Sequence, residues 1–181
     1  MAMSSRNVAI GLVAAVVFVI IAFLVVSRTE IGGDKGAYKD FYKEIIGKMK
    51  VVDTSFKPFS DAMSSKQWVE AVKIAKNEQG NLSKDLAAVE TLKVPDLKDD
   101  KVEKELQDAK QLLTDAYLNK ISIMTNFLAF AKDPATAKET DEAIKKNIEG
   151  FSNDYRQGME KLVTAGQKLG VNMDRLIKES K

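Results

Sequence analysis

The apolar pattern of this chain opens with an unbroken run from Val8 to Val26, in which Gly11 and the alanines are the only small residues. Its 19 residues, at about 1.5 Å of rise each, make roughly 28 Å of helix, the thickness of a bilayer's hydrocarbon core. After Arg28 the pattern changes to apolar residues spaced three and four apart. Tyr38, Phe41, Tyr42, Ile45, Met49, Val52, Phe56, Phe59 and Met63 form one helical stripe, and Pro58 inside it predicts a kink or a restart near Asp53. Ser64 and Ser65 offer a cap for a second helix, along which Trp68, Val72, Ala75, Gln79, Leu82, Leu86 and Val89 step as a heptad seam with one polar member.

Lys93-Val94-Pro95-Asp96 reads as a turn. A third helix then starts near Asp99 or Asp100, whose carboxylates suit the positive end of a helix dipole. Its seam is Val102, Leu106, Ala109, Leu113, Ala116, Lys120, Met124 and Phe127. Asp133-Pro134 turns the chain again. A fourth helix carries Ala137, Ile144, Ile148, Phe151, Tyr155, Met159, Leu162 and Leu169, with Gly170 ending or bending it. A short amphipathic tail follows at Met173, Leu176 and Ile177.

The pattern therefore predicts an all-α fold: a single N-terminal transmembrane helix followed by an antiparallel up-down four-helix bundle. Divided by residue number, that is a short tail over 1–7, a membrane anchor over 8–27, a Gly-rich flexible hinge over 28–36 and a helical bundle domain over 37–181. Val8, Leu12, Val16, Ile20, Leu24 and Val26 are the expected membrane-spanning positions. Gly11 and Ala15 form a small-x-x-x-small pair that would seat another helix in the membrane. A cleaved signal peptide is the rival reading, with Val25 and Ser27 at the cut, but its apolar stretch runs to only about 7–15 residues.

The side of the membrane is set by two opposed signals. Arg6 stands against Arg28, Lys35, Lys39 and Lys43, a bias that by itself puts the domain in the cytoplasm. Short basic N-termini ahead of one span usually stay inside, which sends the domain across, and the extracytoplasmic side is the expectation adopted.

Composition removes several chemistries. Arg6 is the only charged residue before Arg28, so the rest of the chain carries 27 basic against 26 acidic residues, a net charge of +1. So balanced a domain has no electrostatic footprint for nucleic acid. The chain has no Cys and no His. Disulfide scaffolds, thiolate metal sites and the commonest general base, zinc ligand and axial haem ligand are thereby absent. A di-iron bundle needs Glu-x-x-His pairs, which cannot be built here. No phosphate-cradling Gly-x-x-x-x-Gly-Lys-Ser/Thr run occurs. Asp99, Asp100, Glu103 and Glu105 cluster, but among Lys98, Lys101 and Lys104 they read as a solvated helix start. No catalytic residue, cofactor or metal ligand is expected.

The residues with a claim to interaction or to a pocket are Tyr38, Tyr42, Gln79, Tyr117, Tyr155 and Gly158. Tyr38 and Tyr42 follow the membrane closely and suit the lipid interface or a partner subunit. Gln79 breaks an apolar seam, fixing register, meeting solvent or contacting a ligand. Tyr117 and Tyr155 line a pocket or place their rings in the core. Gly150, Gly158, Gly166 and Gly170 fall within the last long helix, where each interior glycine costs about 1 kcal/mol against alanine; they mark either a frayed helix or a close approach by a neighbour.

In architecture the chain is similar to the LemA proteins, which place a helical extracytoplasmic domain of this size behind one N-terminal span. The Asp-Leu-Ile-Pro-Asn-Leu type signature of that family is missing, the nearest proline being Pro58 in Phe-Lys-Pro-Phe. The fold expected here also resembles the periplasmic sensor bundles of chemoreceptors, but the second span and signalling module of those receptors are not in this sequence. The chain is assigned to neither. The expected function is that of a non-enzymatic accessory or interaction subunit held at the bilayer, its partner another membrane or extracytoplasmic protein. The alternative is an extracytoplasmic bundle that senses a small molecule.

Overall fold

Residues 5–180 are described in the computed structural model, with side chains from Gly33 onward except at Pro134. The positions predicted to span the membrane (Val8, Gly11, Leu12, Ala15, Val16, Ile20, Leu24 and Val26) lie outside the residues whose side chains are described. Among the described residues no helix is long and apolar enough to cross a membrane.

The fold is all-helical, with no strand among the described residues. Its helices are α1 (Ser5–Ser64), α2 (Trp68–Glu90), α3 (Asp100–Lys132), α4 (Ala137–Lys168) and α5 (Met173–Glu179), with one 3-10 turn (Pro134–Thr136) between α3 and α4. Successive long helices run in opposite directions. Phe59 and Trp68 both reach Phe127 at one end of the bundle, with ring centroids 5.5 and 6.3 Å away. At the other end Lys161 and Lys168 of α4 meet Asp108 and Glu105 of α3 at 3.3 and 2.6 Å. One core joins the helices, centred on Tyr38, Ile45, Leu82, Leu106, Leu113 and Tyr117, all without solvent exposure.

Local chemistry sets most of the helix ends. Asp99 caps α3, its carboxylate accepting from the backbone N–H groups of Lys101 and Val102 at 2.9 and 3.3 Å, as a residue flanking the unpaired first-turn donors should. Lys110 of α3 donates to the carbonyls of Glu90 and Leu92 at 2.9 and 3.0 Å, closing the C-terminus of α2. Gly170 takes φ of +67°, and Val171 N–H returns to the Gly166 carbonyl at 2.9 Å. That is the glycine-ended helix termination in which a left-handed residue turns the chain off the helix axis.

Three expectations change. First, α1 has no restart near Asp53. It runs through Pro58, which leaves the Thr54 carbonyl without its usual i+4 donor, because apolar contacts on both sides of the proline hold the helix in place. Gly33 and Gly36, read as part of a hinge, are helical too. Second, neither Ser64 nor Ser65 caps α2. The same left-handed turn that ends α4 ends α1, with Lys66 at φ 58° in the position glycine usually holds, Gln67 N–H bonded to Ala62 O at 2.9 Å and Gln67 at the N-cap without a side-chain bond. Third, Trp68 is not a core residue. It begins α2 at the end of the bundle and is 53% exposed, while the buried face of α2 runs through Ala71, Ala75, Leu82, Leu86 and Val89.

Candidate functional site

The bundle is packed unevenly. α3 and α4 form its closest pairing, and small residues make that possible. A Cβ on Gly158 would stand 2.7 Å from Leu113 Cγ and 3.2 Å from the Ala109 carbonyl oxygen, and one on Gly150 would stand 2.9 Å from Asn119 Nδ2. The glycines of α4 thus mark close approach. α1 and α4, by contrast, touch sparingly, and the seam between them gathers the chain's polar and aromatic chemistry.

All four tyrosines of the chain lie along that seam or at its floor. Tyr38 donates from its hydroxyl to the Leu162 carbonyl at 2.8 Å, and its oxygen lies 3.3 Å from the Met173 sulfur. Its ring is 6.1 Å from that of Tyr42. Tyr155 stacks on Phe151 at 5.6 Å, and Phe151 meets Tyr117 edge-on at 6.0 Å. Tyr117 donates to Asp53 Oδ2 at 3.0 Å. The other oxygen of Asp53 takes the Lys120 ammonium, whose Nζ also sits 4.4, 5.0 and 5.2 Å from the ring centres of Phe151, Tyr117 and Phe56. The Lys120 side chain is only 13% exposed. A cation so far from water needs both a carboxylate and aromatic faces to replace its hydration.

Burial pushes every one of these phenols above its ordinary value; the neighbouring Asp53 charge adds to the effect at Tyr117 and Tyr155, and the adjacent tyrosines add to it at Tyr38 and Tyr42. The sign for stability follows. A phenol whose folded pKa exceeds the unfolded value of about 10 favours folding fully below that pH, and the gain is lost as pH rises beyond it. We expect helical circular dichroism to be flat to about pH 10 and then to fall in step with the appearance of tyrosinate absorbance. Four independent titrations near the ordinary value, with helicity retained, would contradict the burial.

A second feature occupies the end of the bundle where α2 begins. Trp68 (53% exposed) and Val69 (86% exposed) stand side by side there. On one side of Trp68 an open cleft of about 580 Å³ is lined by Trp68, Val72, Phe127, Phe130 and Ala131. On the other, one of about 200 Å³ runs between Met63, Trp68, Phe130, Thr140, Asp141 and Ile144. The walls of the larger cleft are apolar, which suits it to bury an apolar anchor, while Thr140 and Asp141 add polar groups to the smaller one. Among the described residues no cluster of three acidic side chains is placed to hold a metal ion.

The expected site residues scatter over these features. Tyr38 and Tyr42 are 0% and 2% exposed, their rings inside the core rather than on the bundle's surface. Both belong to the apolar stripe of α1, the pattern that turns a ring toward the core. Tyr117 is buried and Tyr155 half-buried. Gln79 donates to Thr125 Oγ1 at 2.7 Å, a bridge at the edge of the α2–α3 seam. Gly158 is the contact point for Leu113. Sequence reasoning missed the Asp53–Lys120 pair, although a lone lysine in the apolar seam of α3 was the available signal. It also missed the exposure of Trp68 and Val69, since a helix's first turn carries its seam past the end of its neighbours.

No protein-family model, curated protein or solved structure matches the chain.

Proposed function

We propose that the chain is a membrane-anchored, non-enzymatic bundle protein that acts as an interaction or accessory subunit. The anchor is the span over 8–27, the bundle is of the up-down four-helix kind, and the domain stands on the extracytoplasmic side. The single observation that carries the reading is the apolar tip around Trp68 and Val69. From Gly33 to Ser64, α1 rises about 1.5 Å per residue, which displays the tip roughly 45–50 Å beyond Gly33. An exposed tryptophan flanked by apolar clefts is the usual form of a binding hot spot. Function would be tethering: the anchor fixes height and local concentration while the tip engages the partner.

The size of the larger cleft favours a second reading, a bundle that senses a small molecule, since ligand sites begin near about 300 Å³. Its lining lacks the few convergent polar groups by which such sites orient a ligand, and it ranks second for that reason.

The test is recovery of the full-length protein from its native membrane in gentle detergent, followed by mass spectrometry and native sizing. The wild type is expected in a complex of fixed stoichiometry. A chain carrying Trp68→Ala and Val69→Ser is expected to lose at least about tenfold of the partner, the cost of one hot spot, while its melting temperature falls by no more than about 4 °C. Recovery as a lone monomer or homodimer, or a partner held equally by both chains, would count against the proposal.

A further inference from the structure

α5 occupies an unusual position. It leaves α4 through the left-handed Gly170 and runs back down the seam between α1 and α4. Its register is fixed by three contacts: Met173 with Tyr38 at 3.3 Å, Glu179 with Lys43 at 3.7 Å, and the Ser180 carbonyl with the Lys50 ammonium. Its apolar face is Met173, Leu176 and Ile177; Met173 and Leu176 are 6% and 2% exposed. The seam it fills is one where two long helices of the bundle touch only sparingly.

With seven residues, α5 lies well below the roughly 12–15 at which a helix holds its own shape in water. Its helicity is therefore lent by the groove. The polar contacts that fix it are mostly on the surface, where ion pairs hold weakly. Below its last residue the same seam continues past Asp53 and Phe56. There Phe151 is only half-buried and Ile148 is 50% exposed, so apolar surface of α4 goes uncovered. α5 thus stops short of apolar α4 surface that stays open to water.

We propose that α5 is a displaceable self-ligand, and that the α1–α4 seam is a receptor groove for an amphipathic helix from a partner protein. The competing helix would carry the pattern of α5: apolar residues at its first, fourth and fifth positions and an acid at the seventh to meet Lys43. This goes beyond the tip at Trp68, and neither of its tests involves that residue.

The first test is hydrogen exchange on the full chain in lipid nanodiscs. The α5 amides are expected to exchange at least about 100-fold faster than the core amides of α3, by local opening. Exchange of α5 only at the α3 rate would overturn the proposal, since α5 would then leave only when everything unfolds. The second test adds a fluorescent peptide of residues 170–181 to the full chain and to a chain ending at residue 171. The shortened chain is expected to bind the peptide at least about tenfold more tightly than the intact one, because its groove is empty, and the same peptide with Leu176→Asp is expected not to bind. A shortened chain that ignores the peptide, or that has lost its helical circular dichroism, would equally overturn the proposal.

Discussion

Replacing Leu113 by alanine is expected to remove about 2–5 kcal/mol of stability, in the range for a buried leucine whose cavity cannot collapse. Leu113 has no exposure, and its Cγ and Cδ2 stand 2.7 and 2.9 Å from the place a Cβ on Gly158 would take. α4 already rests against α3 along glycine, so it has no side chain there with which to refill the space. For a domain of this size each kcal/mol moves the melting temperature by about 2–4 °C, which puts the expected fall at roughly 4–20 °C. Trp68→Ala supplies the contrast. Its ring is about half in water, and the loss should be about 1 kcal/mol or less. Thermal or urea melts followed by circular dichroism decide the matter: equal losses for the two variants would mean that the core is misplaced.

That contrast also shows what the apolar pattern could and could not reveal. Interval counting located α2 to α5 and the bundle part of α1, because spacing of three and four is a property of the chain alone. Asp99, Gly170 and Asp133-Pro134 were readable for the same reason, as each acts through its own backbone. Trp68 was not. It continues the seam of α2 in register, and its exposure depends on how far α3 and α4 extend beside it. Lys66 was equally hidden, since a lysine in the left-handed position is set by its neighbours' packing rather than by its own preference.

The seam between α1 and α4 was legible only in fragments. Four tyrosines at separations from four to more than a hundred residues have no local pattern that unites them. Asp53 and Lys120 lie on different helices, and nothing in either helix names the other. The lysine did break an apolar row, and in a bundle such a break calls for a partner. Finding which carboxylate answers it requires the tertiary register.

The glycines of α4 allow a sharper experiment, because helix propensity and packing there push in opposite directions. At Gly80, in the middle of α2, an added Cβ meets nothing within 4 Å, and Gly80→Ala should stabilise by about 1 kcal/mol through propensity alone. At Gly158 the same propensity gain is offset by the Leu113 side chain and by the Ala109 carbonyl, which belongs to the backbone and cannot rotate away. Gly158→Leu is therefore expected to cost about 3 kcal/mol, the upper part of the overpacking range, and to push α4 off α3. The Gly158→Ala change made together with Leu113→Ala should cost less than the sum of the two single changes, with a coupling of about 1 kcal/mol, since the new methyl group enters the space the leucine vacates. Strict additivity would mean that the two helices do not meet at this point, and the close α3–α4 pairing on which the bundle rests would have to be redrawn.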